Sequence, residues 1–159
     1  MRTFAVTSFA CFLSLAGSAL AADPNAGLAK PHGGKVWVQE APFPTTEGDK
    51  LSTYLAGKQP AAEITAKVKD GPWVIHYLAV FKKPAIKGPM TIQFFERTDR
   101  KNIVDQYSPT LENPALVFQT TYDLSPDLGF NKGRTYVIQV GQILKKKFVS
   151  YATGQVTLK

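Results

Sequence analysis

Trp73-Val74-Ile75-His76-Tyr77-Leu78-Ala79-Val80-Phe81 is the stretch that decides the fold class. Trp73, Ile75, Tyr77, Ala79 and Phe81 are apolar on one parity, and Val74, Leu78 and Val80 on the other, with His76 as the one polar interruption. β-Branched and aromatic side chains dominate, as they do on a pleated, buried surface. Asp70-Gly71-Pro72 turns the chain before the run, and Lys82–Pro89, with two prolines and a glycine, reads as a loop after it. With both faces apolar, the run is expected to be a central strand covered on both sides.

Working outward, the apolar signal has a period of two almost everywhere after Lys35. Val36 and Val38 flank Trp37; Ile64, Ala66 and Val68 alternate with Thr65 and Lys67. Met90, Ile92 and Phe94 alternate with Thr91 and Gln93, and a weaker strand is read from Ile103 to Tyr107. Leu116, Phe118, Thr120, Tyr122 and Leu124 form one face; Tyr136, Ile138 and Val140 form another. The last strand runs from about Phe148 to Leu158, with a bulge expected at Thr153-Gly154. One segment departs from the pattern: Leu51, Tyr54 and Leu55 recur at helical spacing between Asp49 and Gly57, which predicts a short helix.

Seven to eight short strands separated by turns suggest a sandwich or a barrel. Asn131-Lys132-Gly133-Arg134-Thr135-Tyr136 leads straight into an alternating strand. It resembles the tyrosine corner of immunoglobulin-like and fibronectin-type domains, in which a tyrosine at the start of the penultimate strand bonds back to nearby backbone. The resemblance covers the chain from Ala115 onward and is one of fold alone. It implies an all-β protein: a single immunoglobulin-like or fibronectin-like antiparallel β-sandwich over residues 35–159. Such folds carry many unrelated activities, so no function follows from it.

Residues 1–21 have the layout of a secretory signal peptide. Arg2 precedes an apolar run from Phe4 to Leu15, and small residues end at Ala19-Leu20-Ala21. The run is shorter than the ~20 residues of a membrane span. Residues 22–34 are small, contain Gly and Pro and lack periodicity, and so read as a flexible arm. Cys11, the only cysteine, lies within the leader, so the exported chain is expected to have no disulfide. None of Asn25, Asn102, Asn113 or Asn131 starts a glycosylation sequon. A disulfide-free bacterial periplasmic or secreted protein, with no membrane span after cleavage, fits these features.

No catalytic constellation is legible. There is no Gly-x-Ser-x-Gly elbow and no phosphate-binding glycine loop, and Gly33-Gly34 is followed by a strand. His32 and His76 are the only histidines, and zinc or copper wants several His or Cys ligands. His76 reads as a core histidine with bonded ring nitrogens, and His32 as part of the arm. Glu96 with Asp99, and Asp123 with Asp127, sit at turns, where acids serve local backbone bonding. Trp37, Phe43, Phe95 and Tyr151 fall on the parity away from the main core. If contiguous, they would make a patch for a glycan or protein.

The charge is the remaining signal. Nineteen Lys and Arg against twelve Asp and Glu give a net charge of +7. Lys145, Lys146 and Lys147 mark one turn, and Lys82, Lys83 and Lys87 another. At one end of the fold, six ammonium groups would attract an anionic polymer or surface. Equally, lysine suits any turn in water and discourages edge-to-edge strand pairing. No nucleic-acid motif is present. The sequence therefore points to an exported, non-enzymatic binding or structural module without a cofactor, meeting an envelope polymer or another envelope protein. Two alternatives remain: a copper or zinc carrier using His32 or His76, and a small hydrolase of envelope polymers.

Overall fold

A computed structural model describes residues 23–67 and 71–159. The proposed leader and its cleavage site, and Val68 of the predicted second strand, lie outside the described residues. Among the described residues, ten strands follow in chain order: β1 (Lys35–Gln39), β2 (Ala61–Ile64), β3 (Trp73–Ala85), β4 (Gly88–Pro89), β5 (Thr91–Glu96), β6 (Asp99–Tyr107), β7 (Thr110–Leu111), β8 (Ala115–Leu124), β9 (Thr135–Leu144) and β10 (Lys147–Leu158). Two helices, α1 (Ala29–His32) and α2 (Gly48–Ala56), precede β2.

The strands do not form the expected two-sheet sandwich. They build one mixed, strongly curled half-barrel sheet in the order β6-β5-β9-β10-β1-β3-β8, with β2 paired to β10 off that path. β4 and β7 make a separate two-stranded ribbon. The decisive feature is the seam between β10 and β1. These strands run parallel and touch through the single register pair Lys35↔Thr153, fusing two antiparallel halves, β6-β5-β9-β10 and β1-β3-β8. Gly154 permits the crossing: a Cβ there would lie 2.5 Å from the Val36 carbonyl oxygen. The bulge expected at Thr153-Gly154 is instead at Tyr151, between the pairs Ser150↔Gly141 and Ala152↔Val140.

The curl gives the core its shape. Val36, Ile75, Tyr77, Phe81, Ile92, Phe94, Phe118, Ile138, Val140 and Val156 converge on the concave side. The edge strands β6 and β8 meet there through side chains: the rings of Tyr107 and Tyr122 stack 4.1 Å apart, nearly parallel. The tyrosine corner forms locally, although the sandwich it suggested does not. Asn131 N–H donates to Tyr136 Oη at 2.7 Å, and Phe130 packs edge-on to the same ring. The motif fixes the entry to β9 and says nothing about which strands β9 and its neighbours join.

The convex side of β1 and β3 is also covered, as the doubly apolar β3 requires. α2 forms where helical spacing predicted it, and Leu51 and Leu55 pack on Trp37, Leu78 and Val80. The stretch read as a flexible arm joins them from Asp23 onward: a 3-10 turn over Ala26–Leu28 leads into α1, burying Leu28 and His32. The arm lacks periodicity because only two of its side chains need to reach the sheet.

Candidate functional site

The strand register brings both lysine turns to one end of the curled sheet. β5 starts opposite the end of β9, with Thr91 facing Gly141, so residues 88–90 extend level with Gln142–Leu144. β3 does not stop at Phe81, because the lysine-bearing segment continues the strand to Ala85. Three extra residues separate the pairs Val80↔Val117 and Ala85↔Ala115, so Lys82 and Lys83 stand on a wide bulge at the rim. The methylene stem of Lys82 lies across Gly34 (φ 87°), where a Cβ would come within 3.1 Å of Lys82 Cε. Lys82, Lys83, Lys87, Lys145, Lys146 and Lys147 are all exposed.

Gln142 ties the two loops together. It is 2 % exposed, yet its amide is fully engaged. Nε2 donates to the Ile86 carbonyl at 2.8 Å and to the Pro89 carbonyl at 3.4 Å. Oε1 accepts from Ile86 N–H at 3.2 Å and from Tyr151 Oη at 3.1 Å. A buried amide must find such partners, so the clamp holds the loop after β3 against the β9–β10 hairpin. Nothing in the charge pattern or the motifs singles out Gln142. The available signal was a polar residue on the inward parity of Ile138 and Val140.

The hairpin turn is unusual in its residues. Leu144 pairs with Lys147, leaving Lys145 and Lys146 as a two-residue turn with φ of 50° and 65°. Positive φ at both positions is the type I′ geometry that Asn-Gly satisfies most cheaply. For other L-residues the left-handed region costs roughly 1–2 kcal/mol each. The chain thus carries two ammonium groups at the tip of this hairpin, at a conformational cost.

Carboxylates sit mainly at the other end of the strands. Glu96 is bound by Arg134 at 3.0 Å where β5 meets the start of β9, and Glu63 by Lys159 at 2.6 Å where β2 meets the end of β10. Asp99 and Asp123 terminate β6 and β8 at that end. Asp99 accepts from Asn102 Nδ2 at 2.7 Å and from Lys101 N–H, and the first of these bonds is the main reason its carboxyl titrates below the usual value. Among the described residues, neither ion pair uses any of the six lysines. Glu112, just past β7, is the carboxylate nearest Lys87 in the register. No family model and no curated protein matches the chain. Its function must therefore be argued from these residues.

The other candidates are not drawn together. His32 is buried; its Nε2 is hydrogen-bonded to Ser52 Oγ at 3.1 Å, and its ring stands edge-on to Trp37. Desolvation pushes its pKa down, in the direction that favours the neutral imidazole. His76 is not in the core: it lies half-buried on the convex face, with Nδ1 bonded to Thr121 Oγ1 at 2.8 Å. Strand parity puts Tyr77, not His76, on the concave side. Among the described residues no three His, Cys, Asp or Glu gather as a metal site. The four aromatics do not make an exposed patch: Trp37 (2 % exposed) and Phe43 (4 %) leave the main core but lie under α2, Phe95 is buried at 8 %, and Tyr151 packs on Phe81.

Surface grooves and a polar cluster are also present among the described residues. A groove of about 340 Å³ at the fork between β1 and β2 is lined by Lys35, Gln59, Thr153 and Gln155. Another, of about 270 Å³, lies between Thr45, Glu47 and Gln119. Each holds one ionisable side chain. Inside the curl, the Tyr77 and Tyr107 hydroxyls are hydrogen-bonded to each other, and Tyr122 Oη donates to Asp105 Oδ2 at 2.5 Å. Burial raises the pKa of all three phenols, with Asp105 adding to the effect at Tyr122. These groups stay protonated at ordinary pH and act as a latch between β6, β3 and β8.

Proposed function

We propose that the protein is an exported, non-enzymatic binding module of the bacterial cell envelope or exterior, and that its lysine-bearing end contacts an anionic partner. The observation that carries this reading is the meeting of Lys82, Lys83 and Lys87 with Lys145, Lys146 and Lys147 at one end of the sheet through the Gln142 clamp. Converging like charges with few carboxylates nearby raise the local potential and favour anions. Export is supported by the leader-like pattern of residues 1–21.

The test is binding of heparin, a soluble polyanion, to the chain from Ala22, measured by titration at low and high salt. Binding is expected to weaken steeply with salt, because exposed charges are screened. Replacing Lys145, Lys146 and Lys147 together with serine is expected to weaken it further. Binding that ignores both salt and the triple replacement would remove the lysine end from the reading.

A further inference from the structure

The lysine end is not only charged. Of the five most exposed large apolar side chains among the described residues, three are here: Ile143 at 57 %, Ile86 at 54 % and Val149 at 39 %. Ile143 pairs with Phe148 on one face of the β9–β10 hairpin, and Val149 pairs with Gln142 on the other. Ile86 is held beside them by its two bonds to Gln142. The hairpin tip is therefore apolar on both faces below a turn made of lysines.

We infer that this end docks on the surface of an anionic lipid bilayer, with the hairpin tip entering the headgroup layer. The inference rests on the anion-binding reading above and names its partner. A soluble polyanion gives the ammonium groups a partner but leaves Ile86, Ile143 and Val149 in water. A bilayer surface takes both sets: lysine heads sit among lipid phosphates while aliphatic side chains reach the acyl boundary. Lysine stems can also lie along apolar surface with their charge held outward.

The choice of cation agrees. All six basic residues are lysine, whereas Arg97, Arg100 and Arg134 lie toward the opposite end, around the start of β6 and β9. Arginine suits a fixed, bidentate contact with one anionic group; lysine is a mobile point charge suited to a diffuse surface. The contact envisaged is peripheral; among the described residues no helix is long and apolar enough to cross a membrane.

The chain from Ala22 would be sedimented with vesicles of phosphatidylcholine alone and of phosphatidylcholine mixed with phosphatidylglycerol, and titrated with heparin in parallel. Three forms are compared: the natural sequence; Ile86→Ser with Ile143→Ser and Val149→Ser; and the triple lysine-to-serine variant. The natural chain is expected to bind the mixed vesicles and not the neutral ones. The aliphatic variant should lose about tenfold or more of its vesicle affinity and keep its heparin affinity, while the lysine variant loses both. Ile143→Trp supplies a gain of signal: its emission should shift to the blue with mixed vesicles and not with heparin. The side chains changed are exposed, and a thermal melt checks that each variant is folded. Heparin binding without vesicle binding would overturn the lipid inference and leave the anion-binding reading standing. Binding to neither would overturn both. Vesicle binding unaffected by the aliphatic changes, or an unshifted tryptophan, would overturn insertion.

Discussion

Replacing Lys145 with Asn and Lys146 with Gly separates what the hairpin needs from what the lysines contribute. Both residues hold positive φ, 50° and 65°, in a two-residue turn. Left-handed backbone costs an ordinary L-residue roughly 1–2 kcal/mol, and Asn-Gly is the preferred pair for this turn. Against that relief, glycine makes the unfolded chain more flexible, an opposing effect of about 0.4–1 kcal/mol. The double variant is therefore expected to be about 1–2 kcal/mol more stable. For a domain between the two size classes usually tabulated, that corresponds to a melting temperature higher by roughly 4–8 °C. The assay is a reversible thermal melt followed by circular dichroism at low salt, with heparin titration of the same samples. Stability should rise while heparin affinity falls. A variant that melts at or below the natural temperature would refute the claim that these lysines are conformationally costly. Unchanged heparin affinity would refute their role in contact.

Three further outcomes follow from the fold. Because Tyr77 and Tyr107 hold their protons more tightly in the folded state than the ordinary phenol value of 10.0, their contribution is complete below that pH and is lost as pH rises above it. Urea melts above pH 10 should show stability falling by about 1.4 kcal/mol per pH unit for each such phenol, and a flat profile would contradict the buried latch. Tyr136→Phe removes the acceptor of Asn131 N–H and should cost about 1–3 kcal/mol in chemical denaturation, with no loss of heparin binding. Gly154→Ala drives a Cβ into the Val36 carbonyl and should destabilise by at least about 1–3 kcal/mol; a neutral result would show that the β1–β10 seam can spread.

Much of the secondary structure was legible because burial acts residue by residue. The alternation through β3, β5, β8 and β9 reports which side chains face an apolar interior, and the spacing of Leu51 and Leu55 reports one side of a helix. The doubly apolar β3 even announced that something would cover its second face. Sheet closure is a different kind of information. In a sandwich and in a curled sheet each strand buries one face, so the same alternation serves both. What separates them is one parallel register pair, Lys35↔Thr153, and the close approach at Gly154. A lone glycine in a strand can mean a bulge or a close backbone approach, and only the neighbouring chain decides between them.

The candidate site followed the same division. The lysines were conspicuous, but whether they met depended on register, and the residue that makes them meet is uncharged. Gln142 is buried among apolar neighbours, and each of its bonds goes to a segment remote in sequence, apart from Tyr151 on the adjacent strand. Its importance comes from polarity in the wrong place: a buried amide costs stability unless satisfied, so the loop at Ile86 is fixed to the hairpin for the sake of that amide. Fixing the loop then keeps Ile86 beside a hairpin tip that exposes Ile143 on one face and Val149 on the other. Three half-exposed aliphatic side chains scattered over a surface would need no explanation. A clamped loop, a hairpin tip apolar on both faces and lysines in costly backbone positions are together what supports the proposal of a contact surface.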